Sequence, residues 1–245
     1  MLNIIMADLY RIFRSKGFYI NVALMLLYII IMGFVNIVPI DRITPSIIMA
    51  TNEILQCFFL LAFIIFICSA DFSSGTAKNV ISHGISRIKY YFAKLILSCI
   101  FCFVALLSGV ILSVVMAVIF SDFGGIIFSV EFFEHLMQAF YAQLFICVAI
   151  TCIGVFCAFS TKNTAAVIGA YLAFYFIPPF IIQILINLNE DFRILYNYDL
   201  GTNIRMLANI DTTSQTDIIR AFVIGGSYML LSTIGGIVIF KNSEI

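Results

Sequence analysis

Apolar residues along this chain come in long runs, not in short alternating stretches. Six runs stand out, at about 18–38, 51–70, 95–120, 137–160, 164–187 and 220–240. A helix needs about 20 apolar residues to cross roughly 30 Å of hydrocarbon. Each run therefore predicts a membrane-spanning helix, and the longer ones leave room for tilt or a kink. The run at 51–70 is the weakest, because Glu53 interrupts it near its start. Ahead of the first run, Leu2, Ile5, Met6, Leu9, Ile12 and Phe13 recur at helical spacing. Asn3, Asp8, Arg11, Arg14 and Ser15 occupy the other side. That pattern predicts an amphipathic helix over 1–16, lying in the membrane surface. The other reading of these residues is a plain helical extension of the first span.

Two polar stretches separate the runs most clearly. One runs from Asp71 to Lys94, and the other covers 188–219. The second carries Glu190, Asp191, Asp199, Asp211 and Asp217, yet keeps Ile194, Leu195, Leu200, Ile204 and Leu207. Short helices resting on a surface are expected there. Pro178 and Pro179 fall inside the fifth run. Proline removes a backbone donor and clashes with the preceding turn. A break is expected there, with the chain after Phe180 dipping back as a re-entrant helix.

Composition fixes the class. The chain is 63% apolar and 11% charged, against about 45–50% and 25% in soluble domains. The expected fold is an all-α membrane protein, a single transmembrane domain over 1–245 with six transmembrane helices. A formal net charge of zero gives no electrostatic case for a nucleic-acid partner. Arg11, Arg14 and Lys16 form a basic front before the first run. The run is longer than a signal-peptide core, and no Ala-x-Ala-like site follows it, so it is expected to remain as an anchor.

Orientation follows from Lys and Arg. With the N-terminus inside, nine of the 13 basic residues are cytoplasmic, and Arg42, Arg193, Arg205 and Arg220 face out. Six spans then place both termini in the cytoplasm of a multi-pass cell (plasma) membrane protein. The 71–94 segment becomes an inner loop, and 188–219 an extracellular one.

Candidate chemistry is sparse. No phosphate-binding Gly-x-x-x-x-Gly-Lys-Ser/Thr, no His-Glu-x-x-His and no Gly-x-Ser-x-Gly occurs. The chain is not expected to be an enzyme, and no metal or cofactor site is expected in it. His83 and His135 fall on opposite sides of the predicted membrane. The seven cysteines all lie in apolar runs and read as small apolar fillers, not as a disulfide framework. Glu53 either contacts a substrate or gate in a water-filled cavity or sits at the membrane surface. A charge at the bilayer centre costs about 2.5–3.5 kcal/mol. Pro178 and Pro179 are the other candidates for a substrate path. Ala221, Gly225, Ser232 and Gly236 share one face of the sixth run. Such a stripe permits close helix packing, within the chain or between subunits, although glycine is common in membrane helices anyway.

The 71–94 segment reads as structured. Gly75 allows a turn, Thr76 is a fair N-cap, and 77–83 can form two helical turns. Gly84 suits a left-handed stop, and Ser86 caps the next helix. Lys78, Asn79, His83 and Arg87 supply polar contacts, while Val80 and Ile81 form an apolar face able to enter a groove. The spacing is Phe72-x-x-Gly75-Thr76-x-Lys78-Asn79-x-Ile81-x-x-Gly84-x-Ser86-Arg87-x-x-Tyr90-x-x-x-Lys94. This pattern, after a second apolar span, resembles the first inner loop of ABC exporter permeases of the type-two class. Small drug-export and antimicrobial-peptide export or immunity permeases of bacteria belong to that class. The six-span outline with a long last outer loop is also similar.

The resemblance implies that Thr76 to His83 is a coupling helix, aimed by Gly84, Ser86 and Arg87, docking into a separate ATPase subunit. The short 160–164 loop would be a smaller contact. Two permease chains, identical or related, and two ATPase subunits would form the transporter, with ATP and Mg bound only by the ATPases. The cargo would be a hydrophobic or amphipathic compound such as a peptide or drug. A rival expectation is a non-transporting immunity or scaffold protein that binds a partner through its acidic outer loop. A secondary carrier is disfavoured, since the two halves carry no clear repeat.

Overall fold

The computed structural model of the chain describes residues 2–36, 45–50, 53–120, 130–208 and 214–243. All the secondary structure among them is helical. Helix α1 covers Leu2–Phe13 and α2 covers Lys16–Asn36. The short α3 (Pro45–Ala50) precedes α4 (Glu53–Ile64). A π turn at Ile65–Ser69 continues α4 into α5 (Ala70–Ser73), and α6 (Thr76–Ser82) follows at a 68° bend. The long helices are α7 (Arg87–Phe120), α8 (Val130–Thr161), α9 (Thr164–Leu188) and α11 (Gln215–Asn242). Between the last two lie a 3-10 helix (Glu190–Tyr198) and α10 (Leu200–Ala208).

Five helices are long and apolar enough to cross a membrane: α2, α7, α8, α9 and α11. Their outward faces stay apolar, with Leu27, Ile111, Phe180 and Leu231 among many exposed large side chains. Exposed apolar surface on this scale marks a lipid-facing bundle, and the chain is a membrane protein.

Helix α8 is the central post. It packs on α3, α4, α7, α9, α10 and α11 and is buried along most of its length. Its tightest neighbour is α11, which presents Ala221, Gly225, Ser232 and Gly236 among its buried residues. A Cβ on Gly225 would stand 2.8 Å from Ile146 Cδ1, and one on Gly236 2.7 Å from Tyr91 Cζ. The stripe of small residues thus lies within the chain, against α8 and α7.

Several expected boundaries move. The second run extends past 70 through the π turn and α5, because the helix ends only at Ser74 and Gly75. Glu53 begins α4, and its side chain lies outside the described residues. The third and fourth spans are longer than the apolar runs, since Arg87 to Lys94 and Val130 to Leu136 join helices already nucleated.

Two expectations are corrected. Pro178 and Pro179 do not break the fifth helix, which runs unbroken from Thr164 to Leu188. Two amides are missing from its ladder, but the φ that proline fixes is itself helical. The chain turns back later, at Asn189, whose side chain accepts from Asp191 N at 3.0 Å. The 3-10 helix then folds back along α9, and Tyr196 Oη donates to Gln183 Oε1 at 2.6 Å.

The second correction concerns α1. Its inward face is Ile4, Ile5, Asp8, Leu9 and Ile12. Asp8, expected on the polar side, is 7% exposed, whereas Met6 and Phe13 of the apolar side are 67% and 51% exposed. Asp8 turns in because its carboxylate finds cationic partners there, described next.

Candidate functional site

The helix resembling a coupling element is α6, and the sequence accounts for its ends. Gly75 sits at φ 71° and Gly84 at φ 88°, both left-handed, a region glycine enters without a Cβ clash. Gly75, and not Thr76, is the N-cap, with no side chain bonding the first turn. Thr76 is the first helical residue, because Gly75 takes at no steric cost the left-handed value that sets the bend. At the other end Gly84 N donates to Ile81 O at 3.0 Å, and His83 Nδ1 lies 2.7 Å from Asn79 O. Ser86 Oγ then accepts from Lys89 N at 3.4 Å as α7 begins.

The faces of α6 divide differently from expectation. Ala77 is buried, and Val80 and Ile81 pack half-buried against the protein's own core. The apolar face expected to enter a partner's groove is therefore turned inward. Lys78, Asn79, Ser82 and His83 form the exposed face. Beside it, Asn3 and Ile4 of α1 and the Gly84–Ser86 turn enclose a cleft of about 300 Å³ with Lys89.

Directly behind α6 lies a cluster of buried charges. Asp71 on α5 is 1% exposed. Its carboxylate accepts from Arg11 Nη1 of α1 and Tyr90 Oη of α7 and pairs with Lys94 Nζ. Lys94 is fully buried and lies 2.7 Å from Asp8 Oδ2, an ion pair without hydrogen-bond alignment. Arg11 closes the ring, with Nη2 3.3 Å from Asp8 Oδ1 and donating to Phe66 O at 3.3 Å. Two carboxylates face two cations, so the cluster is neutral. That balance lets charges stay in a site from which water is nearly excluded.

Aromatic rings seal the cluster. Tyr90 carries the Lys94 ammonium 5.2 Å from its ring centroid. Phe159 packs edge-on with Phe72 at 5.2 Å and Phe240 at 4.7 Å, joining α5, α8 and α11. Ser69 Oγ, in the π turn, lies 2.8 Å from Thr164 Oγ1 at the start of α9. Arg87 donates to the carbonyls of Phe240 (3.1 Å), Lys241 (2.8 Å) and Ser243 (2.6 Å). It thus caps the C-terminal end of α11, where a cation meets the negative end of the helix dipole. Ends of α5, α7, α8, α9 and α11, and α1, therefore meet behind α6.

The sequence reading named Thr76, Lys78, Asn79, Val80, Ile81, His83, Gly84 and Arg87, and the fold gathers them in one corner. Glu53, Pro178 and Pro179 are remote from it along α4 and α9. The reading passed over Asp8, Arg11, Asp71 and Tyr90 as site residues and used Lys94 only as the end of a motif. A signal existed: Asp71 ends one apolar run and Lys94 opens the next, which puts opposite charges at one depth. Its partner on α1 was not foreseeable, because the first sixteen residues give no register against α7.

The corner holds a short helix between two glycine turns, preceded by a carboxylate that ties α5 to α1 and α7. Compared with family models and with curated proteins, the chain matches none.

Proposed function

We propose that the chain is the permease subunit of an ATP-driven exporter, coupled through α6 to a separate ATPase subunit. The observation that carries the reading is the placement of α6. It is bent 68° from the helix before it, offers a polar exposed face, and is tied to the bundle by Asp71. A helix meant only to link two spans needs no such anchoring. A push on α6 would move Asp71, and with it Arg11 on α1 and Lys94 on α7.

In this reading α4, the π turn and α5 act as the sixth span. Both termini and α6 are cytoplasmic, as the Lys and Arg bias requires. The 3-10 helix and α10 then re-enter the membrane from the outer side. The chain has no phosphate loop, so the work comes from its partner. A second permease chain completes the path, and the cargo is hydrophobic or amphipathic.

The test is affinity purification of the full chain from its own membranes, with ATP hydrolysis measured on the eluate. The expected result is a co-purifying ATPase that is lost from the double variant Lys78→Glu, Asn79→Trp. Both side chains are exposed, so the fold should survive. A chain that elutes alone and without hydrolysis would sink the reading and favour a binding role for the 188–219 segment.

A further inference from the structure

Asp199 lies far from the charge cluster and is placed by the chain's return along α9. It is 8% exposed. It sits beside Tyr175, 13 residues before the end of α9, or about 20 Å along the helix at 1.5 Å per residue. On the other side is Tyr228, 13 residues into α11. The carboxylate is thus level with the middle of two apolar helices.

One oxygen, Oδ2, accepts from Thr202 N and Thr202 Oγ1, both at 2.8 Å. These bonds cap α10 and fix the side chain, but they are made to neutral donors. Among the described residues no Lys, Arg or His pairs with Asp199. The carboxylate lies in a site of low polarity with only neutral donors, and a carboxylate so placed is suited to receive a cation.

The space beside it has the matching shape. Asp199, Tyr171, Phe174, Tyr175 and Tyr228 line a cavity of about 90 Å³. Pro178, a candidate of the sequence reading, lines it too. The cavity adjoins a second of about 240 Å³ that shares Ile153, Phe174 and Tyr228 and continues along Phe156 and Leu231. A carboxylate among aromatic faces is the chemistry that receives an organic ammonium. A calcium or magnesium ion would need six or more oxygen ligands, and the walls here are mostly carbon. An anion is repelled.

We propose that this double cavity binds an organic ammonium ion with an apolar tail, the head against Asp199 and the tail along Phe156 and Leu231. The ammonium could belong to a free amphiphile or to a lipid headgroup. As a statement about cargo, this deepens the exporter reading and rests on it. As a statement about binding, it concerns this chain alone.

The test uses the purified full chain in maltoside micelles, titrated calorimetrically with hexyltrimethylammonium. Hexanol and hexanesulfonate are the neutral and anionic controls. Saturable one-site binding is expected for the ammonium and not for the controls. Asp199→Asn keeps the cap on α10 and should weaken binding at least tenfold. Tyr228→Leu removes one aromatic face and should weaken it at least threefold. Equal binding of hexanol, or full affinity in both variants, would overturn the proposal. If Asp199→Asn does not fold, the Tyr228 variant and the controls decide alone. Displacement by dihexanoylphosphatidylcholine would assign the site to lipid headgroups, and its failure to a free amphiphile. No ATPase is in the assay, so its outcome is separate from that of the exporter test.

Discussion

Replacing Lys94 by Met probes the buried charge cluster most directly. Met fills a similar volume without the ammonium, and the site around Lys94 Nζ is fully enclosed. Asp71 and Asp8 would then share a single cation, Arg11, whose side chain is 36% exposed. The cluster changes from neutral to one net negative charge, with side chains that are 1% and 10% exposed. Removing one partner of a buried ion pair typically costs about 3–5 kcal/mol. The lower end applies here, because Arg11 and Tyr90 still donate to Asp71. Asp71→Asn alone leaves Lys94 with Asp8 at 2.7 Å and should cost about 1–3 kcal/mol, the range for a lost buried partner. The double variant is neutral again, with Asp8 and Arg11 still paired, so the two losses should not add. The coupling energy should be at least about 1 kcal/mol, within the range for contacting residues. The assay is reversible unfolding in mixed detergent–SDS micelles, followed by far-ultraviolet circular dichroism on all four proteins. Strict additivity would refute the geometry, because the two side chains would then not meet. A Lys94→Met loss below about 0.5 kcal/mol would refute the burial argument.

Further changes test neighbouring parts of this corner and of the α11 seam. Gly236→Val puts a branched side chain where a Cβ already falls 2.7 Å from Tyr91 Cζ. Tyr91 is fully buried, so overpacking should cost at least about 1–3 kcal/mol in the same unfolding assay, while Gly226→Ala, open by comparison, should be near neutral. Arg87→Gln removes the guanidinium from three carbonyls at the end of α11. Amide hydrogen exchange at the last turn of α11 should speed up while the middle of that helix keeps its rate. Gly84→Ala forces a Cβ into φ 88° and should cost about 1 kcal/mol through backbone strain alone, since no atom lies within 4 Å of that Cβ. A stable Gly84→Ala variant would mean that the turn is not left-handed.

Particular residues separate what was legible in the sequence from what was not. Runs of apolar residues specify spans because a bilayer requires helices with their backbones satisfied internally, and that demand is local. The five long helices, the left-handed turn at Gly84, and the short helix before it follow from such local rules. Asp8 could not be placed that way. Its helix has apolar residues on more than one face, and only packing against α7 chose the face that carries the carboxylate. Pro178 and Pro179 misled because the φ that proline fixes is itself helical, and α9 continues through both.

Asp199 is the sharpest case. In sequence it is one of several acids in a polar stretch. Three-dimensional folding returns the chain along α9 and leaves this acid, among tyrosines, level with the middle of two apolar helices. The sequence by itself determined the membrane class, the helices and the polar segment that projects from them, because each depends on contiguous residues. The tertiary structure alone decided which charges meet and at what depth, because ion pairing and burial join residues as far apart as Asp8 and Lys94.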